Sequence, residues 1–274
     1  MPKRSPLGSS DFKEIIEDNM YYVDKTAMVR SVWEGAKVQL HCRPRRFGKT
    51  LNLSTLRYFF DCQGEYRHLF EGLAIADDEE MTTRYQGKYP VITLSFKDVK
   101  MGSYTSTILG MGRLLYWEWR RHQHLEGMPD YDRKIILMRE AVEAGEPREH
   151  LFVESIKELA KLLYEHHKAP VLLLIDEYDT PLVDAWLKGY YNETIEFIRP
   201  LLASVFKDND DILFKGVLTG ILRVAKESLF SGLNNFVAEA GLEGDDFRDK
   251  FGFTEPEVKA LLVHRGLNGR EMDD

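Results

Sequence analysis

Four short runs of β-branched and aliphatic residues interrupt a chain whose remaining apolar positions recur mostly at helical spacing. They occupy residues 38–42, 91–96, 171–176 and 212–219, each of ordinary strand length. The third run, Val-Leu-Leu-Leu-Ile, is apolar at every position instead of alternately, which predicts a strand covered on both faces, as in a parallel sheet. Three helical candidates, around 103–125, 130–144 and 149–166, separate the second run from the third. In the last of these, Phe152, Ile156, Leu159 and Leu163 recur at spacings of four, three and four and mark a single buried face. Residues 51–60, after the first run, read as a buried helix. Strands alternating with helices predict an α/β protein: a three-layer α/β/α domain around a mostly parallel sheet.

The ends read differently. Residues 1–37 form an N-terminal arm, with a helical piece near 11–18, expected to pack on a domain spanning 38–250. Thr254-Glu-Pro-Glu257 has the pattern of a capping box with proline early in the helix. A helix is expected to start there, and 251–274 reads as the start of a helical lid in a chain that stops where a longer protein continues.

Composition narrows the class. A chain of 274 residues with 43% hydrophobic residues can bury a core without covalent staples. Cys42 and Cys62 cannot build a disulfide framework and read as core thiols. The start, MPKRSPLGSS, lacks the apolar stretch of a signal peptide, so a cytoplasmic location is expected. The longest aliphatic run, 171–175, is far shorter than the roughly 20 residues of a membrane helix, and no membrane partner is expected. Lys plus Arg at 37 against Asp plus Glu at 45 leaves a net charge of -8, which argues against coating nucleic acid with the whole surface. Only a local basic patch remains for nucleic acid.

Arg43-Pro44-Arg45-Arg46-Phe47-Gly48-Lys49-Thr50 follows a strand and opens a helix that continues at Leu51, the context in which a phosphate loop has physical meaning. Gly48 lets backbone approach an anion, and the amides of the helix start face it. Lys49 would reach the β and γ phosphates, and the Thr50 hydroxyl would serve Mg²⁺. Arg43 stands where the usual pattern has its first glycine. The run 171–175 delivers Asp176 and Glu177 at the carboxyl end of a strand, where open α/β sheets bind ligands. This is a Walker B pattern, in which Asp176 holds Mg²⁺ with Thr50 and Glu177 orients the attacking water. The run 91–96 lies between the two motif strands, as in NTPases with a glutamate beside Walker B. Thr219 ends the fourth run and Arg223 follows it. If that strand neighbours the third, Thr219 can sense the γ phosphate and Arg223 can stabilise charge; turn chemistry and a surface charge are the competing readings. ATP is preferred to GTP because no Asn-Lys-X-Asp string is present.

With these residues assembled, the chain resembles the predicted AAA-ATPase-like family. The resemblance rests on the loop Arg43–Lys49, on Tyr22-Val-Asp-Lys-Thr26, on Asp176-Glu-Tyr-Asp-Thr-Pro-Leu182 and on the strings 219–228 and 230–234. It implies an ATP-binding, Mg²⁺-dependent P-loop ATPase module in which the missing first glycine is normal. It also implies oligomerisation, with arginines acting across subunits in homo-oligomers, and in longer members a PD-(D/E)XK nuclease-like domain. No strand carrying Asp and Glu-X-Lys follows residue 250, so nuclease activity is not expected of this chain.

Other features have plainer readings. Trp117-Glu-Trp-Arg-Arg-His-Gln-His124 mixes aromatic and basic residues, but Ile108, Met111, Leu115 and Trp119 share one apolar helix face, with Arg120, Arg121 and His122 opening a solvated last turn. The pairs His122/His124 and His166/His167 have spacings that do not converge on one helix face, so no metal set is expected. Tyr22 and Asp24 either read the adenine or pin the arm to the sheet. Asp179 and Pro181 either shape the loop facing the γ phosphate or form an ordinary turn.

Overall fold

The computed structural model describes residues 3–207, 211–222, 236–240 (as backbone), 247 and 249–266. In chain order the elements are α1 (Phe12–Glu17), α2 (Met28–Glu34), β1 (Val38–Cys42), α3 (Lys49–Phe60), α4 (Glu79–Arg84), β2 (Val91–Ser95), α5 (Tyr104–Arg121) and α6 (Pro129–Ala144). They continue with α7 (Glu149–Val153), α8 (Ser155–His167), β3 (Val171–Asp176), α9 (Thr180–Lys188), α10 (Tyr191–Phe206), β4 (Leu213–Gly220), β5 (Phe236–Ala240) and α11 (Glu255–His264).

The five strands form one sheet of order β2-β3-β4-β1-β5, parallel at every pairing. β3 shows why its sequence is apolar throughout. Val171, Leu173 and Ile175 pack into the core on one face, with Trp119, Phe152, Ile156 and Leu163 of the helices α5, α7 and α8. Leu172 and Leu174 pack into the core on the other, with Phe12, Met28, Leu53 and Phe59 of α1, α2 and α3. Successive side chains of a strand point to opposite faces, so a strand between two helical layers must be apolar at each position. The result is a three-layer α/β/α fold of the P-loop NTPase-like kind.

Two expectations about arrangement are corrected. The run 91–96 lies between the motif strands in sequence, but β2 is an edge strand outside β3. The strand inserted between β1 and β3 is β4, because the connection after β1 carries the chain past two strand positions to β2, and β3 and β4 then fill the sheet back toward β1. In the last turn of α5 only Arg120 is exposed as expected. His122 is fully buried and Arg121 turns inward, because Glu118 is buried there. The Arg121 guanidinium reaches the Glu118 carboxylate at 2.6 Å and His122 Nε2 lies 3.3 Å from it. Burial alone would raise Glu118; Arg121 and His122 overcome this and hold its carboxyl down at about 2. The apolar face itself is as read, with Ile108, Met111, Leu115 and Trp119 all buried.

Asp11 caps α1 by accepting the Glu14 amide. At α11 the Glu257 carboxylate accepts the Thr254 amide at 2.7 Å, the reach-back of a capping box. Among the described residues no helix is long and apolar enough to cross a membrane.

Candidate nucleotide site at the carboxyl edge of the sheet

Parallel pairing brings the ends of β1, β3 and β4 to one edge. Cys42 pairs with Gly220 and Ile175 with Leu218, so the loop after β1 and the carboxylates after β3 emerge side by side. The loop 43–48 turns through two left-handed residues, Arg46 at φ 68° and Gly48 at φ 74°. Turns of this kind aim successive amides at one point. At Gly48 an added Cβ would meet nothing within 4 Å, so glycine is needed there for its backbone angle and not for space.

Lys49 opens α3 with its side chain folded back under the loop. Its ammonium donates to the carbonyls of Arg43 and Pro44, both at 2.9 Å. Burial lowers its pKa, against the pull of Asp176, Glu177 and Asp179. The Thr50 hydroxyl donates to Asp176 Oδ2 at 2.6 Å, a contact across 126 positions of sequence. From the other side the Thr219 hydroxyl donates to Asp176 Oδ1 at 2.5 Å. Thr50, Asp176 and Thr219 are thus joined by hydrogen bonds, and the charge of Asp176 acts on the nearby Lys49 ammonium.

Glu177 follows in a left-handed conformation, φ 52°, costly for a residue with a Cβ. Its carboxylate accepts the Thr180 hydroxyl at 3.0 Å. Asp179 is buried, and its Oδ2 accepts the amides of Ile221 and Leu222 at 2.9 and 2.8 Å. It stitches the loop after β3 to the end of β4. An Asp-Thr-Pro turn gives no sign of so distant a partner, so this role was not readable in sequence. A cavity of about 650 Å³ opens alongside, lined by Pro44, Arg45, Lys100, Asp179, Val183 and Leu222 among others.

The other residues expected to serve nucleotide are placed around this centre in several ways. The Arg43 guanidinium donates to the Cys42 carbonyl at 3.0 Å and lies over the Phe251 ring at 5.1 Å, so Arg43 lines the loop through its carbonyl. Leu51 packs its side chain against the core between α3 and the arm. Arg45, Arg46 and Phe47 are exposed. Asp24 accepts the Thr26 amide and hydroxyl on one oxygen and the Ala74 amide on the other. Tyr22 stacks edge-on against Phe12 at 5.4 Å. Both belong to the contacts that hold the arm. Arg223 lies outside the described residues.

Three of the histidines come together although neither sequence pair converges on one helix face. His124, His166 and His167 offer ring nitrogens that all lie within 4.8 Å of one another, because the set is drawn from two elements and not from one helix face. Cys42 is buried as read; Cys62 is only partly so.

An all-parallel sheet between two helical layers, with a left-handed glycine loop, a lysine and a strand-end carboxylate at its carboxyl edge, defines a P-loop NTPase-like α/β protein. The chain belongs to the family described as "Predicted AAA-ATPase", which matches residues 6–230. It is also similar to a protein of Azotobacter chroococcum mcd 1 described as "Uncharacterized protein in vnfD 5'region", with 30% identity over 276 residues, 99% of this chain and 47% of the relative. The chain thus spans about half the length of that relative. No solved structure matches it.

Proposed function

We propose that this chain binds Mg²⁺-ATP at the carboxyl edge of its sheet and hydrolyses the β-γ phosphoanhydride. The observation that carries the reading is the 2.6 Å hydrogen bond from Thr50 to Asp176. It sets a hydroxyl and a carboxylate side by side at the first turn of α3, directly after the loop amides. These are hard oxygen donors of the kind Mg²⁺ takes when it is also held by substrate phosphates. Bound there, the cation would neutralise charge on the phosphate oxygens.

The protein's own groups divide the remaining work. The loop amides of 46–50 and the start of α3 hold the phosphates. Lys49, resting on two carbonyls, exchanges them for phosphate oxygens. Thr219 fixes the second oxygen of Asp176. Glu177 stands one residue beyond, positioned to orient water for attack on the γ phosphorus. Most of the acceleration in such sites comes from placement and charge stabilisation. Arg223 is assigned the γ phosphate on its sequence position alone.

Calorimetric titration with Mg²⁺-ATP and steady-state phosphate release test this together. Lys49→Ala is expected to weaken binding by at least about tenfold, and Glu177→Gln to retain binding while phosphate release falls about a hundredfold or more. Equal affinity in Lys49→Ala would sink the nucleotide site. Equal, background-level phosphate release by wild type and Glu177→Gln with ATP still bound would make the chain a nucleotide-dependent switch and not an enzyme.

A further inference from the structure

The opposite edge of the sheet carries a second constellation. α8 ends in His166 and His167 four residues before β3 begins, and a 3₁₀ turn after α5, Gln123–Leu125, brings His124 against them. The ring centroids of His124 lie 5.2 Å from His166 and 5.1 Å from His167, and those of His166 and His167 are 4.7 Å apart. His124 Nε2 and His167 Nε2 approach to 3.1 Å. Tetrahedral zinc with Zn–N bonds near 2.0–2.1 Å separates its ligand nitrogens by about 3.3 Å, so this pair already spans one edge of such a site.

We propose that His124, His166 and His167 bind a borderline divalent transition-metal cation of the Zn²⁺ type, with water in the fourth position. Three imidazoles with an open fourth position are a donor set suited to Zn²⁺. His124 and His166 are exposed and His167 half-buried, so a cation can enter from solvent. The far side of His167 is also engaged: its Nδ1 lies 3.6 Å from Cys62 Sγ. With the Nδ1 proton directed at sulfur, the Nε2 lone pair faces His124, the outer-shell arrangement that orients metal-binding histidines.

The surroundings suit a cation. His166 and His167 stand in the last turn of α8, at the negative end of its dipole. Arg121, a cation acting on His124, is paired with Glu118 at 2.6 Å and lies 4.0 Å from Asp61, so two carboxylates answer one guanidinium. His122 is not a ligand; its Nδ1 faces the Gln63 amide at 2.9 Å and its Nε2 faces Glu118. Among the described residues these are the His, Cys, Asp and Glu side chains whose ligand atoms converge in this way. A bound ion would clip the end of α5 to the end of α8. It would do so across the length of the strands, about 17 Å for five residues, from the phosphate loop.

The test uses tag-free, chelator-stripped chain titrated with Zn²⁺ in competition with a chromophoric chelator, alongside Co²⁺ absorption spectra. One equivalent is expected to bind wild type, giving a tetrahedral Co²⁺ spectrum and a raised thermal midpoint. His124→Ala and His167→Ala are each expected to lose at least about tenfold in affinity, and Asp176→Asn is expected to bind zinc as wild type does. The proposal is overturned if wild type binds no more zinc than the triple alanine variant, which would leave an N–H···N bond between imidazoles. It is equally overturned if the tight site survives in His124→Ala and vanishes in Asp176→Asn, placing the ion in the phosphate loop.

Discussion

Both oxygens of Asp176 accept hydroxyls, Thr50 on one and Thr219 on the other, and hydrogen bonds to a charged group contribute about 1.5–3 kcal/mol each. The carboxylate is thereby held in orientation although it is buried. His41 of β1, in register with Thr219, shows what burial does to a titratable group. Its Nε2 lies 3.3 Å from Gln39 Oε1, and the Phe247 ring packs at 4.5 Å. Burial and then the neighbouring Arg43 push its pKa down to about 3. The unfolded chain, with an ordinary histidine near 6.5, binds the proton more readily than the fold does between these values. The stability that neutral His41 brings is therefore complete above about pH 6.5 and is lost as pH falls, by about 2 kcal/mol at pH 5. Urea unfolding of wild type and His41→Gln at pH 7 and pH 5 should show the wild type losing that much more; equal losses would contradict it. The residues at the candidate site were legible because their contexts are local: Gly48-Lys49-Thr50 opens a helix and Asp176 ends an apolar strand. The fixing of Asp179 to the amides of β4's end was not, since those partners are backbone and carry no side-chain signature.

Elements were legible wherever one helix face or one strand had to meet the core. β1 and β3 match their expected bounds, β2 and β4 differ by no more than one residue at an end, and α3, α5 and α6 occupy the apolar patterns that announced them, whereas the single helix expected over 149–166 is broken at Glu154 into α7 and α8. The helices α2, α4, α9 and α10 and the strand β5 were not anticipated. α10 carries Pro200 inside it, a residue that ordinarily argues against a helix interior. α2 and α4 are too short for periodicity to stand out. α5 illustrates how packing overrides propensity within one element. An alanine Cβ at Gly112 would lie 2.4 Å from the Phe152 ring, whereas at Gly110 it would meet the tip of Met101, Cε at 2.7 Å. Replacing a mid-helix glycine by alanine favours the helix by about 1 kcal/mol. At Gly112 the buried ring has nowhere to go, and overpacking of this kind costs about 1–3 kcal/mol. Chemical denaturation should find Gly112→Ala less stable than wild type and Gly110→Ala nearly unchanged or more stable. If Gly112→Ala is the more stable of the two, the helix and not the contact with α7 decides this site.

On the scale of the whole molecule, sequence indicated the layers and the shared edge but not how the chain's ends are joined to it. Parallel strands and their covering helices follow from apolar continuity; the position of a closing segment depends on contacts made over two hundred residues. The Lys25 ammonium donates to the Asp249 carbonyl at 2.6 Å and to Glu257 at 2.6 and 2.7 Å. Asn52 of α3 donates to the Lys250 carbonyl at 2.8 Å, and the Gly252 amide donates to the Phe47 carbonyl at 3.1 Å. The segment before α11 thus bridges the arm, the first turn of α3 and the loop 43–48. Gly252 is the tightest point, with φ 72° and a would-be Cβ 2.8 Å from the Phe47 ring. A side chain there costs about 1–2 kcal/mol in backbone strain alone, and the ring must shift, carrying the residue next to Gly48 with it. Gly252→Ala should therefore lower the thermal midpoint and also weaken Mg²⁺-ATP binding by several-fold, about 1 kcal/mol, although residue 252 carries no group for phosphate. Calorimetry on the folded variant below its midpoint separates the two effects: a lowered midpoint with unchanged affinity would show that this segment stabilises the fold without setting the loop.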